Sequence, residues 1–79
     1  MDILYRDHAV TRMFERKITP AMLGEILDKP DGKIKQSKDK WIFYKKFRKR
    51  KDNLVAAVAL EKNKKNYEII TVMVNFEVF

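Results

Sequence analysis

The chain has no cysteine, a single histidine, two glycines and two prolines in 79 residues. Without cysteine there is no disulfide and no thiolate metal site. One imidazole, with acidic residues scattered singly along the chain, supplies neither a zinc ligand set nor the converging carboxylates of a metal-dependent nuclease. No metal and no cofactor are expected. Gly24 and Gly32 are too isolated to build a glycine-rich phosphate loop, so Rossmann and Walker-type nucleotide sites are excluded. The longest apolar run, Leu54 to Leu60, is far too short to cross a bilayer. Asp2 near the start, with no long apolar segment after it, is unlike a signal peptide. These absences predict a cytoplasmic protein with no membrane partner.

Negative charge is also scarce. Eleven acidic residues face eighteen Lys and Arg, for a net charge of +7. Such an excess points to a polyanion, because phosphate neutralisation supplies most non-specific nucleic-acid affinity. A lysine-rich solvated surface is the plainer alternative. The cations are bunched rather than spread. Lys45, Lys46, Arg48, Lys49, Arg50 and Lys51 form one block around Phe47, and Lys62, Lys64 and Lys65 form a second. From this block, Lys45, Arg48, Lys49, Arg50 and Lys51 are the expected RNA-binding residues. At this size residues 1–79 make one domain with a small core, which a homodimer or a partner protein would extend.

The first half reads as helical. A short strand over Ile3 to Tyr5 precedes Asp7, expected to cap a helix running to about Lys17. Ala9, Val10, Met13 and Phe14 form its apolar stripe and are expected in the core. Thr19-Pro20 restarts the chain with a hydroxyl cap and a proline at the first helical position. Met22, Leu23, Ile26 and Leu27 then face inward, and Pro30 ends the second helix. After Gly32 the period changes. Gly32 to Ser37, Lys40 to Arg48, Leu54 to Glu61 and Tyr67 to Asn75 read as strands, separated by Lys38-Asp39, Asp52-Asn53 and Lys62 to Asn66. In Lys40 to Arg48 the alternation predicts a core face and a basic face. In Tyr67 to Asn75 it places Ile70, Val72 and Val74 opposite Tyr67, Ile69, Thr71, Met73 and Asn75. The predicted fold is α+β, with two N-terminal helices packed on one face of a curved antiparallel sheet of about four strands.

The most telling spacing is His8, Arg12 and Arg16. Steps of four keep them on one helix face, drifting by roughly 40° per step. Imidazole titrates near neutrality and transfers protons, and guanidinium holds phosphate in a bidentate manner. Ordinary solvated helices carry the same residues, with Glu15 as a local ion partner. Tyr44 and Lys46 lie two apart on one strand face, about 7 Å between Cα atoms, where a base can stack beside a point charge. A packed aromatic with a snorkelling lysine fits equally. Thr71 is a strand former that also offers a hydroxyl. With no converging carboxylates, any cleavage would be metal-independent, and the target would be RNA, whose 2′-hydroxyl is a built-in nucleophile.

The stretch HAVTRMFERKIT resembles the pattern H-A-x-x-R-M-x-x-R-x-I-[ST] at the start of domain of unknown function 4258. PAMLGEILDKPD is similar to that family's second helix, and WIFYKK and EIITVM to its strands. The resemblance runs from about Ile3 to Val74. The family is similar in turn to RelE-like toxins and the barnase, EndoU, colicin and RelE group of small ribonucleases. This implies two helices on a curved antiparallel sheet, RNA as substrate (free or on the ribosome), and a cognate antitoxin as protein partner. It also implies a cleft holding histidine, arginine or lysine, and a hydroxyl. By position His8, Arg12 and Arg16 match the motif, with Tyr44, Lys46 and Thr71 at strand positions. The tail from Asn75 to Phe79 departs from the pattern by adding aromatic residues. A non-catalytic RNA-binding or protein-interaction module on the same scaffold is the competing reading.

Overall fold

Where the sequence repeats at helical spacing the chain is helical, and where it alternates the chain is extended. The computed structural model describes residues 2–63 and 66–78. The elements are β1 (Asp2–Tyr5), α1 (Asp7–Arg16), α2 (Pro20–Asp28), β2 (Gly32–Lys35), β3 (Lys40–Lys45), β4 (Leu54–Asn63) and β5 (Asn66–Phe76). Of the turn expected over Lys62 to Asn66, Lys62 and Asn63 belong to β4 and Asn66 to β5, while Lys64 and Lys65 lie outside the described residues.

Strands β2 to β5 form an antiparallel meander, and β1 adds beside β5 in parallel, giving the order β1-β5-β4-β3-β2. The α+β class stands, but the sheet is mixed and has five strands rather than four antiparallel ones. The short strand expected over Ile3 to Tyr5 is the fifth, and it pairs with the far end of the chain, Asp2 with Asn66 through Tyr5 with Ile69, so no local pattern reveals its place in the sheet. Glu68 ties this junction down by accepting from Arg6 and Lys62, and the two cations hold its carboxyl below the usual carboxylate range.

Both helices pack on one sheet face. Ala9 and Met13 of α1 and Leu23, Ile26 and Leu27 of α2 meet Phe43, Val55, Ala57, Ile69 and Val72. The Thr19 hydroxyl accepts from the Met22 N–H at 3.1 Å, and Pro20 follows as the first helical residue. Two expectations for α1 are corrected. Arg6, not Asp7, occupies the N-cap, and its side chain makes no capping bond. Asp7 instead places its charge in the first turn, where the helix dipole favours it. Val10 and Phe14 are not core: they are 52% and 87% exposed. Each residue turns the helix by about 100°, so burying Ala9 and Met13 carries these two away from the sheet.

The strands also depart from simple alternation. β3 ends at Lys45, because the Lys46 N–H turns away to the Asp31 carboxylate at 2.7 Å. Its outer face is not basic: Ile42 and Tyr44 join Ala56, Val58, Ile70, Met73 and Phe76 in a second apolar cluster. In β5 the register slips at Ile70, between the pairs Ala59–Ile69 and Val58–Thr71. This bulge shifts the side-chain phase. Ile69, Val72 and Val74 therefore share the helix face, and Ile70 and Met73 the other, which overturns the predicted alternation.

Candidate functional site

The groove beside α1 is built by a mismatch in length. β1 accompanies β5 only as far as Ile69, while β5 runs on to Phe76. Along that remainder α1 lies alongside, and the space between them is a groove of about 770 Å³. His8, Arg12 and Arg16 form one wall, and residues 71–77 form the other. Four of the six predicted catalytic residues, His8, Arg12, Arg16 and Thr71, thus come together. His8 and Arg16 are exposed, while Arg12 and Thr71 are half-buried. Arg12 reaches Glu15 only at 3.5 Å on an open helix face, a contact worth little. Its guanidinium stays available to an anion.

Tyr44 and Lys46 do not line this groove. Tyr44 lies on the outer sheet face over Gly32, its cross-strand neighbour, and 5.9 Å from the Phe76 ring. A Cβ at Gly32 would meet the Tyr44 hydroxyl at 2.1 Å, so the glycine is what admits the ring. The Lys46 ammonium donates to the Asp52 carbonyl at 2.9 Å.

The predicted RNA-binding block divides in two. Lys45 donates to the Lys29 carbonyl at 2.9 Å, closing the end of α2. Arg50 is held inside the fold. Its Nε and Nη2 donate to the two Asp52 carboxylate oxygens at 2.7 and 2.9 Å. Nη1 and Nη2 donate to the carbonyls of Lys17 and Arg16, each at 2.9 Å. The hydrogen bond from Arg50 draws the Asp52 carboxyl below the usual range, and the guanidinium is raised in return. Arg48, Lys49 and Lys51 remain exposed. The clamp fixes their loop against the C-terminal end of α1, next to Arg16.

Two groove residues escaped the sequence reading. Asn75 takes a left-handed conformation, φ 54°, and its side-chain oxygen accepts from the Asn53 N–H at 2.9 Å. Glu77 supplies the only carboxylate among the described lining residues. An asparagine closing an apolar strand is a recognisable turn signal, whereas nothing local marks Glu77.

A family model, Domain of unknown function (DUF4258), matches residues 5–74. The chain belongs to that family. The DUF4258 match takes in α1 and most of β5, so His8, Arg12, Arg16 and Thr71 fall within it and Glu77 beyond it. No curated protein and no solved structure matches the chain. Among the described residues of this DUF4258 domain, no helix is long and apolar enough to cross a membrane.

Proposed function

We propose that this DUF4258 domain is a metal-independent endoribonuclease, RelE-like in scaffold and cytoplasmic in action, and the toxin of a toxin–antitoxin pair. The observation that carries the reading is that the only imidazole and two guanidiniums line one groove, with Thr71 on its opposite wall. The single carboxylate there is too few for the converging acids of a two-metal site. Arg12 and Arg16 take the phosphate and stabilise the charge that grows on the phosphorane. The ribose 2′-oxygen attacks phosphorus and the bond to the 5′-oxygen breaks. Glu77 accepts the 2′-hydroxyl proton, and protonated His8 gives one to the departing 5′-oxygen. The products are a 2′,3′-cyclic phosphate and a 5′-hydroxyl. Exposed Arg48, Lys49 and Lys51 extend the contact along the RNA backbone.

The test is cleavage of end-labelled RNA in excess EDTA, with analysis of the product termini. His8→Ala should slow cleavage by about 10²–10⁴-fold and leave salt-sensitive RNA binding in place. Equal rates in the two proteins would remove His8 from the chemistry. One observation favours the second reading, a non-catalytic RNA-binding module: His8 makes no side-chain hydrogen bond among the described residues, so nothing there orients its ring. Intact RNA, both free and on translating ribosomes, with binding that weakens steeply in salt, would decide for that module.

A further inference from the structure

Among the described residues, three open stretches of sheet edge differ in how they are guarded. The outer edge of β2 is four residues long and carries exposed Lys33 and Lys35. The outer edge of β1 is equally short and starts with exposed Asp2. Short, charged edges are how sheets resist pairing with other chains. The third stretch is the part of β5 beyond the end of β1, Ile70-Thr71-Val72-Met73-Val74. It contains no charge and no proline, and among the described residues no strand lies beyond it on that side. Left-handed Asn75 terminates it. Between the slip at Ile70 and the next one after Met73, this uncharged edge offers a short ladder of backbone donors and acceptors.

The groove beside this edge selects the chain that fits. His8, Arg12 and Arg16 recur every four residues on α1, a rise of about 6 Å per step. Alternate side chains of an extended strand recur at about 6.8 Å. Over three positions the two ladders span about 12 and 14 Å, so one strand laid along β5 would meet all three basic side chains with successive same-face residues. Its other face would continue the apolar surface of Ile70, Met73 and Phe76. The geometry points to a docking site for an extended segment of a partner polypeptide, alternating acidic and apolar residues, that adds to β5 as a sixth strand. RNA shares the charge complementarity but cannot use the backbone ladder. The strand shares its groove with the ribonuclease reading and would exclude RNA from it. Its binding does not depend on that reading, because it is measured without cleavage.

The experiment uses the full chain and a blocked eight-residue peptide of alternating glutamate and valine. Titration calorimetry should show binding, and hydrogen exchange should slow at the amides of residues 70–74. N-methylation of alternate peptide nitrogens on the ladder side should weaken binding at least tenfold. So should the Arg12→Glu/Arg16→Glu chain, whose folding is checked by circular dichroism. A peptide of the same composition with its glutamates consecutive should also bind at least tenfold more weakly. Binding indifferent to N-methylation, without amide protection, would overturn the proposal in favour of charge attraction alone. No binding at millimolar peptide would overturn it outright, as would protection of residues 70–74 by polyuridine but not by the peptide. A chain that cleaves no RNA can still pass this test, and one that fails it can still be a ribonuclease.

Discussion

Arg50 shows how little a residue's charge says about its partner. It stands in the densest basic run of the chain, yet four hydrogen bonds turn its guanidinium inward, onto Asp52 and the last carbonyls of α1. The fork-to-carboxylate geometry is specific to arginine, so lysine would not replace it. Arg50→Ala should cost about 1–2 kcal/mol in denaturant unfolding, since it leaves a carboxylate unpaired and a helix end uncapped. Asp52 gives the same clamp a pH signature. Its folded pKa is depressed, so its stabilisation is complete above the ordinary aspartate value, about 3.9, and is lost as the pH falls through the lower folded value. Asp52→Asn should therefore be less stable than wild type at pH 7, with the gap closing below about pH 4. A constant gap across that range would show that the clamp does not depend on the carboxylate charge. The sequence announced a cation at position 50 and a carboxylate two residues on; the two carbonyl acceptors, more than thirty residues away along the chain, were hidden from it.

Among the elements, α1 serves both the core and the groove. Its apolar residues span two adjacent sectors, and only one can face the sheet. Tight contact with β5 suits small Ala9 and flexible Met13, which leaves Val10 and Phe14 beside Tyr5 and Pro20 on the open side. Met13→Ala should cost about 2–5 kcal/mol, as buried large-to-small changes do. Phe14→Ser should shift stability by no more than about 0.5 kcal/mol. Chemical denaturation of the two variants separates the sectors, and comparable losses would put Phe14 back in the core. The capped start of α2, the apolar β4 and the His8-Arg12-Arg16 stripe were legible because each depends on neighbours within a few residues. The β5 bulge was not. A one-residue slip depends on the partner strand, and after it every side chain changes sides.

At the scale of the molecule, the sequence disclosed the class, the order of the elements and half of the groove. It did not disclose the wall that faces α1, because that wall exists only where β1 stops short of the end of β5. The same shortfall governs how the chain assembles. The meander from β2 to β5 closes through neighbouring segments, whereas β1 must return across nearly the whole chain to reach its place. Loop-closure entropy makes such distant pairings late and dependent on what has already formed. Until β1 arrives, and whenever it detaches, the exposed margin of β5 grows from five residues to the full strand. Ile3 holds β1 to the core, so Ile3→Lys should promote that detachment. Light scattering at rising protein concentration should then reveal strand exchange or aggregation, while a monomeric Ile3→Lys protein would show that another element shields the margin. On this view four residues at the start of the fold are a stopper on self-association, covering the part of an adhesive edge that the groove does not use.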